Sequence, residues 1–157
     1  MQPTDGFVRA GPVEPLALNV APKELPEGRE RHAYGEGPFA KLKMPPLPGE
    51  PGLYLWELDD KIVYVGQTRM PLRDRLGPLG YASITNYNTF ARQPGRTNGG
   101  QQTNCRINWL ANRALASGST LVIWFRTTRA EDARSEEASW MEEFGIPPWN
   151  LRAERRS

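Results

Sequence analysis

The sequence predicts an α/β (α+β) domain: a small, mainly antiparallel three-stranded sheet flanked by helices, behind an extended Pro-rich N-terminal arm. Three observations carry this. A hairpin pattern of aromatic and aliphatic residues fills 52–66, a helical apolar stripe lies at 107–115, and one β-rich run at 120–127 leads into a second helical pattern. Ten of the fifteen prolines lie at or before Pro51, which confines regular structure to the residues beyond it.

Taken in order, residues 1–33 mix Pro, Gly and charge without periodicity, the composition of an extended, partly disordered arm. Residues 34–51 read as an ordered lead-in, with Phe39, Leu42 and Met44 available to pack on the domain. The compact domain is expected at 52–150, with a basic tail at 151–157. Gly52 to Leu58 reads as one strand, Asp59-Asp60 as a turn, and Lys61 to Gly66 as a second strand. A two-residue loop would put Tyr54 and Tyr64 on opposite faces, and a three-residue loop from Leu58 to Asp60 would put them on one. Pro71 to Leu76 is a short helix with Pro at its first turn, stopped by Gly77-Pro78. Residues 80–102 read as a long polar loop, of a length that usually carries function. Thr103 or Asn104 is the expected cap of the next helix, whose stripe is Ile107, Leu110, Ala111, Ala114 and Leu115, with Gly118 closing it. Thr120 to Thr127 is the third strand. Thr128 and Glu131 form a capping-box pattern for a last helix with Ala133, Trp140, Met141 and Phe144 on its apolar face, ended by Pro147-Pro148.

Composition and charge narrow the function. The hydrophobic share is 38% and the charged share 24%, with a net charge of +2, as expected of a globular domain. No apolar run is long enough for a membrane helix. The start lacks the basic and apolar regions of a signal peptide, and a single cysteine, Cys105, forms no internal disulfide; a cytoplasmic location is expected. Charge is uneven. Residues 75–130 hold seven arginines and no Asp or Glu, which points to an anionic partner suited to the planar guanidinium fork. Arg106 and Arg113 lie off the helical stripe, one heptad apart.

Histidine chemistry is excluded, since His32 is the single histidine and sits in the arm. Glu137 falls inside the apolar stripe of the last helix while Glu136, Glu142 and Glu143 fall off it. A carboxylate there needs a partner arginine or a metal ion. Tyr54 and Tyr64 are either aromatic core or hydroxyl-bearing site residues. Arg75 is either a surface charge or a phosphate ligand.

Together these residues resemble the GIY-YIG nuclease family. Gly52-Leu53-Tyr54 stands for the first motif and Tyr64-Val65-Gly66 for the second, with leucine and valine in place of isoleucine. Leu72-Arg73-Asp74-Arg75-Leu76 is similar to the helix with the family's arginine, Arg75. Glu137 and then Pro147-Pro148-Trp149-Asn150 resemble its glutamate helix and closing asparagine. Tyr34 to Phe39, Gly80-Tyr81 and the stretch from Gly99 to Asn108 resemble one prokaryotic branch, with its GGQQTNCRIN-type segment. Where many members carry a histidine or tyrosine one turn after the arginine, this chain has Leu79, and Tyr81 is the candidate for that role.

The resemblance implies an endonuclease that hydrolyses phosphodiester bonds in DNA, or RNA, with Mg²⁺ or Mn²⁺. It implies Glu137 as metal ligand and Tyr54, Tyr64, Arg75, Tyr81, Glu137 and Asn150 as the catalytic set. Within that set Tyr54 helps activate water, Arg75 offsets charge, and Asn150 ties the chain after the last helix to the site. A free tyrosine ionises near pH 10, so Tyr54 would need nearby cations: Arg75, the metal or Lys61. Lys61, Arg92, Arg96, Gln101, Gln102, Asn104, Arg106 and Arg113 are the expected nucleic-acid contacts, and Tyr87 and Phe90 offer stacking surfaces. A restriction-like or defensive enzyme is the leading expectation. A structure-specific repair or recombination nuclease and a non-catalytic nucleic-acid-binding module on the same fold are the alternatives. With one site per chain, a double-strand break would require a homodimer or two sequential nicks.

Overall fold

Part of the N-terminal arm is strand. In the computed structural model, which describes residues 1–91 and 99–151 and only the backbone of 99–101, β1 (Val8–Pro12) and β2 (Glu14–Val20) precede β3 (Phe39–Lys43). The hairpin β4 (Gly52–Leu58) and β5 (Lys61–Thr68) comes next, then the short helices α1 (Leu72–Arg75) and α2 (Asn86–Thr89). The chain continues through α3 (Gly99–Ala116), β6 (Leu121–Thr127), a 3₁₀ turn at Ala130–Asp132 and α4 (Ala133–Phe144).

The main sheet is antiparallel with order β1-β6-β4-β5, so it has four strands and not the expected three. The fourth, β1, lies on the outer edge of β6. Gly11, Pro12 and Pro15 hide this segment from a pattern reading, because they look like breakers. Pro12 ends an edge strand, where its missing N–H costs nothing. Gly11, at φ +136°, sits at a bulge in the β1–β6 ladder. β2 and β3 form a separate two-stranded sheet.

β4 is central and buried on both faces. Leu53 and Leu55 join Val65, Trp140 and Met141 under α4. Tyr54 and Trp56 join Tyr64, Tyr81, Ile107, Ala111 and Ile123 under α3. The period of two along β4 thus divides one strand between two cores.

Both helix starts differ from expectation. α3 begins at Gly99, ahead of Thr103 and Asn104, so the polar run before the apolar stripe is helical as well. Within that run Gln102 and Thr103 line the site cavity and Asn104 bonds Arg75, so it carries no apolar period. α4 has no side-chain cap: Glu131 pairs with Arg129, and the Thr128 hydroxyl bonds the Arg129 carbonyl, in place of the Thr128–Glu131 box. The Gly118 stop is as expected, at φ +86° with its N–H donated to the Leu115 carbonyl.

Among the described residues, no helix is long and apolar enough to cross a membrane.

Candidate active site

The hairpin turn is the two-residue one, Asp59-Asp60, both at positive φ. By itself that register would put Tyr54 and Tyr64 on opposite faces. A bulge resolves it: Glu57 pairs with Ile62, but Trp56 pairs with Tyr64, leaving Val63 as an extra residue. Past the bulge Tyr54 stands opposite Gly66, and both tyrosines face α3. Gly66 is required there, because a Cβ on it would lie 2.3 Å from the Tyr54 ring.

Arg75 and Tyr81 reach the same place from the segment after β5. Gly80 lets the chain fold back on α1, since a Cβ there would sit 1.8 Å from the Arg75 carbonyl. The Tyr81 N–H then bonds that carbonyl. Tyr81 is fully buried, whereas Leu79 is 91% exposed.

The Tyr81 hydroxyl is the hub. Arg75 Nη2 donates to it at 2.9 Å. The Tyr54 hydroxyl is 2.7 Å away and that of Tyr64 3.3 Å away. A phenol has one proton and two lone pairs. With one lone pair taken by Arg75, Tyr81 accepts from one tyrosine and donates to the other. The Arg75 guanidinium also lies over the Tyr81 ring, 4.3 Å from its centroid.

Burial pushes the hydroxyls of Tyr54 and Tyr81 well above the ordinary tyrosine range. A neighbouring tyrosine raises each further, and Arg75 pulls each back in part. Both are neutral at pH 7. Burial of Arg75 opposes its charge, but the oxygens of Tyr54, Tyr81 and Tyr64 outweigh this and keep it a cation.

These side chains line one cavity of about 470 Å³, together with Glu137 from α4, Gly66 and Gln67 from β5, Gln102 and Thr103 from α3, Tyr34 and Leu151. Tyr54, Tyr64, Arg75, Tyr81 and Glu137, far apart in sequence, are therefore brought together. Glu136, one residue away, pairs instead with Arg126 at 3.0 Å. The donors around Glu137 are carboxylate, hydroxyl and carboxamide oxygens. That set fits a hard divalent ion that keeps most of its own waters. Among the described residues, no three His, Cys, Asp or Glu side chains form a closed metal cage.

Asn150 is not in the cavity. Its Oδ1 accepts from the Val65 N–H at 3.0 Å and its Nδ2 donates to the Val65 carbonyl at 2.9 Å, while the Trp149 N–H bonds Val63. Asn150 thus closes the outer edge of β5, a positioning part rather than a chemical one.

The expected nucleic-acid contacts separate. Gln102 lines the cavity. Asn104 does not face outward: its Oδ1 accepts from Arg75 Nη1 at 2.5 Å. Arg106 is buried, 3% exposed, and donates to the Trp149 carbonyl, so it shares no open face with Arg113. Arg113 is exposed and stacks on Trp109. Lys61 is exposed beside the hairpin turn and lines a different groove, with Pro3 and Trp140, so it supplies no charge to the tyrosines. Arg92, Arg96 and the Gln101 side chain lie outside the described residues. Tyr87 is 65% exposed and stacks edge-on with Phe90. Cys105 is an inert thiol, pushed up to about 12 by burial.

The sequence reading missed two features. Tyr34, from the lead-in, lines the cavity; its N–H donates to His32 Nδ1, and His32 Nε2 donates to the Asn88 carbonyl. The other is a ladder of asparagines at intervals of four along α3. Asn104 holds Arg75. Asn108 bonds both backbone groups of Ala40 and the Tyr81 carbonyl. Asn112 pairs with Asn19 of β2. The i, i+4, i+8 spacing was the available signal.

No family model matches the chain, and no curated protein matches it. Among solved structures it superposes on a glutamate-to-alanine mutant of bacteriophage T4 EndoII, with a TM-score of 0.54 and 19% identity over 94% of each chain. The two share a fold.

Proposed function

From a fold shared with EndoII, we propose that this protein is a divalent-metal-dependent endonuclease that hydrolyses phosphodiester bonds in DNA. The observation that carries the reading is the convergence of Tyr54, Tyr64, Arg75, Tyr81 and Glu137 on one cavity. Arg75 and Glu137 are charged groups that a purely structural core has no need to gather around three tyrosine hydroxyls.

Glu137 is the residue that would hold Mg²⁺ or Mn²⁺. Such an ion, when bound, offsets charge on the phosphate and the leaving oxygen. The rest is the work of the chain's own groups. Arg75, anchored by Asn104 and Tyr81, presents its remaining N–H groups as a fixed cation where the transition state gains charge. Tyr54 is neutral, so it takes a proton from the attacking water only by giving up its own. Tyr81 is the acceptor at 2.7 Å, and Tyr64 is next in line at 3.3 Å. As one proton enters at Tyr54, another leaves at Tyr64 to solvent water in the cavity, so no tyrosine becomes an isolated anion, and Arg75 steadies the shared oxygen throughout.

Supercoiled plasmid with Mg²⁺, with EDTA, and with a Glu137→Ala control tests this. Mg²⁺-dependent nicking or linearisation is expected, lost with EDTA and in the variant. Discrete bands would favour a restriction-like enzyme, and preference for branched DNA a repair or recombination enzyme. Uncut plasmid, branched DNA, single strands and RNA under Mg²⁺ and Mn²⁺ would overturn the proposal in favour of a non-catalytic binding module.

A further inference from the structure

Gln67 comes directly after Gly66 in β5 and pairs with Leu53 across the hairpin. Its register puts it on the α4 side of the sheet, with Leu53 and Val65, and α4 is the helix that carries Glu137. Both Gln67 and Glu137 line the cavity.

Gln67 Oε1 is shielded from solvent and accepts no hydrogen bond among the described residues. It is the one side-chain oxygen of which this is true there. A buried carbonyl oxygen that has given up water and gained no donor costs about 1–3 kcal/mol, and native proteins keep few such atoms without a reason. Here the orphaned atom is an acceptor, on a residue that lines the same polar cavity as the Glu137 carboxylate. A cation satisfies that oxygen where no donor side chain among the described residues reaches it. Carboxamide and carboxylate oxygens are the ligand types that hard divalent ions take.

We propose that Gln67 Oε1 is a second protein ligand, beside Glu137, for the divalent ion. The inference rests on the metal requirement of the proposed function. A neutral oxygen completes the shell without adding negative charge. It leaves the ion's positive charge for the phosphate, and it keeps affinity modest because affinity tracks ligand charge count.

Mn²⁺ binding to the full chain, measured by calorimetry without nucleic acid, tests it on four proteins: wild type, Glu137→Ala, Gln67→Leu and Gln67→Glu. Gln67→Leu is expected to weaken Mn²⁺ binding about tenfold or more. It should melt no lower than wild type, because it removes an orphaned oxygen. Gln67→Glu is expected to bind Mn²⁺ more tightly than wild type, through its second carboxylate. Wild-type affinity in a folded Gln67→Leu, with binding lost in Glu137→Ala, overturns the role of Gln67 and leaves the nuclease reading standing. A wild type that binds no Mn²⁺ overturns both.

Discussion

Tyr81 has one proton and three polar neighbours, and that arithmetic fixes much of what the site can do. Arg75 is a permanent donor to it, so the tyrosine hydroxyls must run head to tail. The arrangement also predicts how the protein responds to alkali. Tyr54 and Tyr81 have folded-state ionisation raised above the unfolded value. Their contribution to stability is therefore complete below the unfolded value, about pH 10. It is lost as pH climbs toward the folded value, because the unfolded chain sheds protons that the folded one retains. Tyrosinate absorbance and circular dichroism, monitored together, are expected to show these two tyrosines ionising only as the fold is lost. Full tyrosine ionisation near pH 10 with the fold intact would contradict their burial.

Elements matter here through register more than through length. The Val63 bulge converts a tight two-residue turn into a hairpin whose two tyrosines share a face. The sequence left two loop lengths open, and the answer was neither alone, because a bulge depends on pairing partners that only the folded sheet supplies. The strands β4, β5 and β6, the short helix at Leu72 and the stop at Gly118 were legible, since each rests on local pattern. The polar start of α3 was not, because Gln102 and Thr103 turn to the cavity and Asn104 to Arg75 rather than to an apolar core. The asparagine ladder offers an internal control for that helix. Asn104→Ala is expected to slow cleavage by about a hundredfold through a misplaced Arg75, with little change in KM. Asn112→Ala, also buried but facing Asn19, should cost about 1–3 kcal/mol of stability and leave kcat unchanged. Matching losses of kcat in the two variants would reduce the ladder to scaffolding.

At the scale of the whole molecule, the arm is part of the fold rather than an attachment to it. β1 extends the main sheet, β2 braces β3, and Asn19 reaches α3. Residues 30–32 pair with 89–91, and the Pro3 carbonyl accepts from the Trp140 indole. A chain beginning at residue 34 is expected to lose cooperative melting, since domains of this size hold only about 5–15 kcal/mol in total. An unchanged melting temperature would show the arm to be dispensable. Proline content obscured this, because a proline at an edge strand or a strand end is compatible with a sheet that a central proline would break. The far side of the sheet has a matching safeguard. β5 carries the apolar run Ile62-Val63-Tyr64-Val65, and among the described residues Trp149 and the two-handed grip of Asn150 on Val65 cover its outer backbone. An uncovered strand of that composition is a template on which other chains can add and polymerise. The asparagine that first reads as a catalytic landmark therefore also occupies a strand edge on which another chain could otherwise add, through the same two hydrogen bonds that hold the second tyrosine's strand in place.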